Sequence, residues 1–345
     1  MKKRNFIFIA IIILLLIVLF YLFQKPIKQQ GFKIEILAEN LDTPWSIDFL
    51  PDNRMIFTER NGRVNILDNG NIKVLAKINV SEISESGLLG IAVDPDFTEN
   101  MFIYLYYTYD KGNRVSRFVL NGKLEQEFLL LENIPNARFH DGGRIKFAPD
   151  GKLYITTGDA TQPSSAQDIN SLAGKILRVN KDGTIPDDNP FNNYVYSYGH
   201  RNPQGIAWDK VTRHMYASEH GPTRNDEINI ILKGKNYGWP EVQCNEISEQ
   251  YTNPIRCYTE FTLAPSGIAL YNNALYVAGL RGTQLRKIVF NKQSNILYEE
   301  ELFSNFGRIR DAVVHNGYLY IATSNRDGRG IPSFNDDKII RVKLA

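Results

Sequence analysis

Cysteine is nearly absent: Cys244 and Cys257 are the only two in 345 residues. This excludes a disulfide-dense scaffold and a cysteine-rich metal domain. An excess of charge of one sign is missing too. Lys and Arg number 40 against 38 Asp and Glu, a formal net charge of +2, which argues against nucleic acid as the main partner. No long run of like charge, heptad pattern or low-complexity tract interrupts the chain, so coiled coils and charged tails are excluded. Zinc-type Cys/His spacing, a phosphate-cradling glycine loop and a serine nucleophile elbow are also absent. What remains is 43% hydrophobic and 12% aromatic, enough for the core of one large domain plus a leader.

The leader is the one long apolar run. Lys2, Lys3 and Arg4 precede residues 6–23, eighteen positions without a charge, close to the roughly 20 needed to cross a bilayer as a helix. The run ends without an A-x-A cleavage pattern or a lipobox cysteine. Residues 1–30 are therefore expected to be an uncleaved signal anchor and tether, formed by an N-terminal transmembrane helix with its basic end in the cytoplasm. A cleaved signal peptide is the alternative. Either way residues 31–345 are exported, to the periplasm or the cell surface. In that setting Cys244 and Cys257 fit a disulfide closing a short polar insertion, or two free thiols.

Beyond the leader one phrase recurs six times: an apolar strand, a polar turn, an aromatic-rich strand, then a strand carrying charges. The first copy runs through residues 46–49, 51–54, 55–60 and 62–67, and later copies open at Gly90, Arg144, Gly205, Gly267 and Asp311. Repetition at this length predicts an all-β fold, a six-bladed β-propeller of four-stranded antiparallel blades. The turns between first and second strands are Asn, Asp, Gly and Pro clusters, such as Pro51-Asp52-Asn53 and Pro149-Asp150-Gly151, as short antiparallel connections require. Third strands, such as residues 174–179 and 227–231, carry charge and are expected to be half-buried.

The phase of the repeat sorts side chains by face. The first turns hold little besides turn formers. The segments entering each blade, and the loops after each second strand, collect Glu85, His140, Asp141, Asp159, His200, Arg201, Asn202, Glu219, His220, Asp226, Arg281, Arg308 and Arg310. Ionisable groups are thus expected at one mouth of the central channel. Long loops at residues 161–172, 182–198 and 233–263 fit pocket walls or plain surface decoration.

His140 stands in Arg138-Phe139-His140-Asp141-Gly142-Gly143-Arg144. A histidine titrates near neutral pH, and paired glycines let backbone approach a ligand closely, which suits a general base. A hydrogen-bonded structural histidine is the simpler reading. Arg201, Arg281, Arg308 and Arg310 come from three blades, and forked guanidinium groups suit a ligand with several acidic groups. Pairing with Glu85, Asp159, Glu219 and Asp226 is the alternative. Glu219-His220-Gly221-Pro222 with Asp226-Glu227 offers carbonyls beside carboxylates, the oxygen-rich setting that calcium favours.

These residues resemble a known family, the glucose/sorbosone dehydrogenases, quinoproteins that use pyrroloquinoline quinone (PQQ). The resemblance runs from about Ala38 to the C-terminus. It is carried by Gly87-Leu88-Leu89-Gly90, His140 to Arg144, Gly174-Lys175-Ile176-Leu177-Arg178, Gly199-His200-Arg201-Asn202-Pro203-Gln204-Gly205, Asn236-Tyr237-Gly238-Trp239-Pro240 and Arg308-Ile309-Arg310-Asp311. It implies oxidation of an aldose at C1 to the lactone. His140 would be the base, supported by Asp159. Arg201, Asn202, Arg281, Arg308, Arg310 and His220 would contact PQQ, Glu85 and Asp141 the sugar, and Gly221, Pro222, Asp226 and Glu227 would surround Ca2+. An external electron acceptor would complete the cycle. Arg281, Phe139, Glu85 and His220 depart from the soluble glucose enzyme of the family, which puts glucose preference in doubt. Two other readings stand beside it. One is a calcium-dependent lactonase, which needs metal-ligating side chains in the channel. The other is a non-catalytic extracellular binding propeller, for which His140 and four arginines at one mouth have no use.

Overall fold

The computed structural model describes residues 31–344; the expected N-terminal membrane helix lies outside the described residues. Six four-stranded antiparallel sheets form the domain. Their inner strands are Pro44–Phe49, Leu88–Val93, Ile145–Phe147, Pro203–Trp208, Pro265–Tyr271 and Ile309–His315. Neighbouring blades pack through these strands, except that the third meets the fourth through its second strand, Leu153–Thr157, and the first meets the sixth, which closes the ring.

The inner strands approach closely because of what they lack. A Cβ on Gly90 would collide with the Gly143 carbonyl, one on Gly205 with the Ser266 carbonyl, and one on Gly267 with the Asp311 side chain. Five of the six inner strands also have a register shift where they enter from the mouth, as between Pro44 and Ser46 and between Ile309 and Asp311. Such a bulge bends the strand and re-aims side chains near its end.

Apolar clusters cement blade to blade. Trp45 of the first blade, Leu89, Tyr104 and Tyr106 of the second, and Ile145, Ile155 and Leu177 of the third form one buried group. Removing one of the large rings would cost about 3–5 kcal/mol through lost transfer energy and the cavity left behind. Inside the channel Arg144 bridges blades. Its Nη1 lies 3.1 Å from Asp311 Oδ2 and donates to Ser46 Oγ at 2.8 Å, and its Nε donates to the Gln204 carbonyl at 3.0 Å.

Ring closure is the main feature that the repeat did not foretell. The sixth blade takes its outer strand from the start of the domain: Ile34–Ala38 pairs with Ile339–Lys343. The expectation of half-buried third strands also fails in the third blade, where every residue of Lys175–Val179 is buried. Burying Lys175 is tolerable because its Nζ donates to the carbonyls of Ser165, Ala166 and Ala173 at 2.8, 3.0 and 2.6 Å. Desolvation still pushes its pKa down to about 7. In the second blade Pro95-Asp96 leads into one helical turn, Phe97–Asn100. Cys244 and Cys257 are joined, stapling the insertion to the outer strand Arg256–Tyr258 of the fourth blade.

Candidate functional site

His140 lies just before the third blade's inner strand, and Asp159 just after its second strand, Leu153–Thr157. Their Nδ1 and Oδ1 atoms are 2.7 Å apart. Asp159 is buried, and its carboxylate also accepts the Trp239 Nε1–H at 2.9 Å and the Thr161 N–H at 2.8 Å. Both Asp159 oxygens accept, so the neutral imidazole tautomer that fits donates from Nδ1 and keeps its lone pair on Nε2. Nε2 makes no hydrogen bond among the described residues, and the side chain is 17% exposed.

The backbone here is unusual. His140 has φ +67°, a left-handed conformation that few non-glycine residues adopt. The protein itself requires the double glycine. A Cβ on Gly142 would lie 2.6 Å from the Thr156 carbonyl oxygen, and one on Gly143 would lie 2.6 Å from Leu89 Cδ1. Glu85, expected to face sugar, has both oxygens engaged by protein: Oε2 accepts the His140 N–H at 2.9 Å and Oε1 pairs with Arg329 Nη1 at 2.7 Å. Burial pushes its pKa up, but the Arg329 charge and the His140 N–H oppose this, leaving it below the usual range.

Asp141, expected to contact the sugar, is only 2% exposed. Its Oδ1 accepts from Asn113 Nδ2 at 3.1 Å and the Ala137 N–H at 3.3 Å, while Oδ2 is buried without a partner. Burial pushes its pKa up to about 7.

The arginines have divergent fates. Arg310 is buried, its Nη1 donates to Gln204 Oε1 at 2.7 Å, and its Nε has no partner. Desolvation lowers its pKa to about 9. Arg308 sets both Nε and Nη2 on one oxygen of Asp327, at 2.9 and 2.7 Å. Arg201 lies over the Trp239 ring at 5.3 Å and donates to the Gly221 and His220 carbonyls at 2.8 and 3.1 Å. Arg281 is exposed and makes no hydrogen bond or ion pair among the described residues.

His220 ties the cluster together. Desolvation drives its pKa down to about 3; Glu85 opposes this, and Arg310, Arg201 and His140 add to it, so groups of four blades act on it. It is neutral at pH 7, and its buried Nε2 is unpartnered, as is Asn202 Nδ2. Asn202 Oδ1 accepts the Gly142 N–H at 3.0 Å. Arg310 Nε, Asn202 Nδ2 and His220 Nε2 are three orphaned polar atoms in one charged cluster. Buried polar atoms rarely go unpaired, and a ligand rich in oxygens, such as a tricarboxylic quinone, fits this donor set.

The expected calcium donors are less free. Gly221 O already accepts from Arg201 and Pro222 O from the Asn225 N–H, although each carbonyl keeps a second lone pair. The Asp226 carboxylate is spent on the N–H groups of Gly221, Leu263 and Ala264, and burial raises its pKa to about 6. Glu227 accepts the Cys244 N–H at 2.8 Å, and burial beside Glu219 lifts it to about 8. Among the described residues no three His, Cys, Asp or Glu side chains group as a metal cage. The side-chain cage that the lactonase reading requires is therefore not found there.

Three participants escaped the sequence reading. Trp239 was noted in a motif but not as the donor to Asp159. Arg329 and Asp327 lie after the sixth blade's second strand, in the phase that delivers side chains to this mouth, so the repeat held the signal for both.

Comparison with known proteins agrees with this architecture. The family model described as Glucose / Sorbosone dehydrogenase matches residues 41–339. The chain is 32% identical to an aldose sugar dehydrogenase of Escherichia coli over 86% of this chain and 91% of that protein. It is 35% identical to quinoprotein glucose dehydrogenase B of Acinetobacter calcoaceticus, over 62% of this chain and 54% of that one. The PQQ-bound aldose sugar dehydrogenase of Streptomyces coelicolor superposes with a TM-score of 0.86 at 33% identity, covering 91% and 98% of the two chains. An all-β propeller with a histidine–aspartate dyad at its mouth, matched along nearly its whole length, leads to one assignment: the chain belongs to the glucose/sorbosone dehydrogenase family.

Proposed function

We propose that this protein oxidises aldose sugars at C1 to the lactone, using PQQ and calcium. The observation that carries the reading is the His140 Nε2 lone pair, open at the mouth while Nδ1 is fixed on Asp159 at 2.7 Å, beside three orphaned polar atoms.

In this reading His140 Nε2 takes the proton of the C1 hydroxyl, and Asp159 stabilises the imidazolium that forms. Trp239 and Thr161 keep the Asp159 carboxylate oriented through their hydrogen bonds. Arg310, Asn202 and His220 are the groups with unused polar atoms for the quinone. Arg201, Arg281 and Arg308 add positive charge around it, and the Gly221 and Pro222 carbonyls, beside Asp226 and Glu227, would hold calcium. When bound, the quinone supplies the acceptor for the two electrons and the hydrogen lost from C1, and calcium supplies a Lewis acid. An external acceptor then regenerates the enzyme.

The uncharged run at residues 6–23 and the Cys244–Cys257 bridge support an anchored domain outside the cytoplasm, where disulfides persist. The test is to add calcium and PQQ to the purified protein, follow quinone binding by absorbance, and assay dye reduction with a panel of aldoses. Quinone binding with sugar-dependent reduction is expected; absence of both sinks the proposal.

A further inference from the structure

The loop of residues 324–338, between the second and third strands of the sixth blade, is tied down at both ends. Near one end the Asp337 carboxylate accepts the N–H groups of Asn325, Arg326 and Thr43. Near the other, Arg308 grips Asp327. Between these anchors Gly328-Arg329-Gly330-Ile331 forms an exposed tip, with Ile331 96% exposed. From this tip the Arg329 side chain reaches back across the mouth. Its guanidinium lies over the Phe139 ring at 5.1 Å, and Nη1 meets Glu85 Oε1 at 2.7 Å. The other Glu85 oxygen accepts the His140 N–H at 2.9 Å.

His140 is among the non-glycine residues whose backbone needs a restraint. Its φ of +67° is disfavoured for a side chain with a Cβ. Three contacts hold it there: Glu85 on the N–H, the Ala160 N–H on the carbonyl at 3.3 Å, and Asp159 on the ring. The first depends on a carboxylate that is itself steered by Arg329, a residue 244 positions away in sequence.

We propose that Arg329 is a positioning residue for His140: by fixing Glu85 across the mouth, it holds the histidine backbone in the left-handed conformation that presents Nε2 to the sugar. The catalytic part of this inference rests on the function proposed above. Glu85 then works on the base's main chain, and Arg329 works on the base through Glu85. A partly exposed ion pair adds little to global stability because water competes for both charges. Loss of Arg329 therefore leaves the fold intact and frees one side chain.

Hydrogen exchange at the His140 amide of the full-length protein, without added cofactor, reads this directly. Arg329→Gln should speed that exchange by about tenfold, as loss of one charge-assisted restraint implies, with Tm unchanged. Arg329→Lys, which keeps the charge, should restore most of the protection. With quinone and calcium added, Arg329→Gln should lower kcat by roughly five- to tenfold and leave KM for sugar unchanged. Unchanged exchange in Arg329→Gln overturns the proposal, as does an effect confined to KM, which would mean direct sugar contact. If the unsubstituted protein oxidises no sugar while the exchange response is intact, the proposed function fails and the restraint on His140 still stands.

Discussion

His140 pairs with Asp159 and His200 with Glu219, each across 19 residues and at the entrances to consecutive blades. The Nδ1–carboxylate distances are 2.7 and 2.8 Å. The second nitrogens differ. His200 Nε2 meets Ser197 Oγ at 2.9 Å, its ring stacks on Tyr237 at 4.6 Å, and its side chain is fully buried. His140 Nε2 is open, on a backbone held at φ +67°. The residues that follow also diverge: Asp141 turns into its blade, whereas Arg201 reaches over Trp239. A histidine–carboxylate pair is therefore not a base by geometry alone. What separates a staple from a site is whether the far nitrogen already has a partner.

The largest expected effect breaks the two dyads in parallel. His140→Ala should lower turnover by about 10²–10⁴, the usual range for a positioned general base, with little change in unfolding midpoint. His200→Ala should do the reverse. Leaving Glu219 Oε2 buried without its His200 donor should cost about 1–3 kcal/mol, while the folded fraction turns over within a few-fold of normal. Steady-state kinetics and urea unfolding on both variants check this, and equal effects on the two readouts would erase the distinction.

The residue after each histidine gives a second contrast, read through pH. The buried Asp141 carboxyl is pushed from 3.8 up to about 7, so between those values the folded protein holds a proton that the unfolded chain releases. By linkage, stability falls as pH rises through that window. Asp141→Asn should remove this slope and gain on the order of 2 kcal/mol near pH 8. Urea midpoints from pH 4 to 8 test it; parallel curves for the two proteins would contradict it.

The smallest effect concerns the link between the dyads. Trp239 donates Nε1–H to Asp159, and its ring lies under Arg201. Trp239→Phe deletes one hydrogen bond worth about 1 kcal/mol, so kcat should fall roughly fivefold with quinone affinity nearly unchanged. Loss of quinone binding instead would assign the indole to the ligand.

Much of the blade pattern was legible because the turn clusters punctuate it. The strand Met55–Glu59 fills the 55–60 segment of the first copy, and the openings Gly90, Gly205, Gly267 and Asp311 fall within the inner strands Leu88–Val93, Pro203–Trp208, Pro265–Tyr271 and Ile309–His315. The mouth was legible from phase alone, since His140, Arg201 and Arg310 all perturb His220. Features set by partners distant in sequence were not. Ile34–Ala38 is a partly exposed outer strand whose role comes from pairing with Ile339–Lys343 at the other end of the chain. Lys175 is buried because three loop carbonyls surround its ammonium. Asp141 and Arg201 each follow a mouth histidine yet point differently, a choice made by Asn113 and Ala137 on one side and Trp239 on the other.

The most direct test of the open nitrogen is single-turnover reduction of bound quinone by an aldose, followed by absorbance in the unsubstituted protein and in His140→Ala. Quinone affinity should match between the two, and reduction in His140→Ala should be at least about 100-fold slower. Equal reduction rates would contradict the role assigned to His140 Nε2.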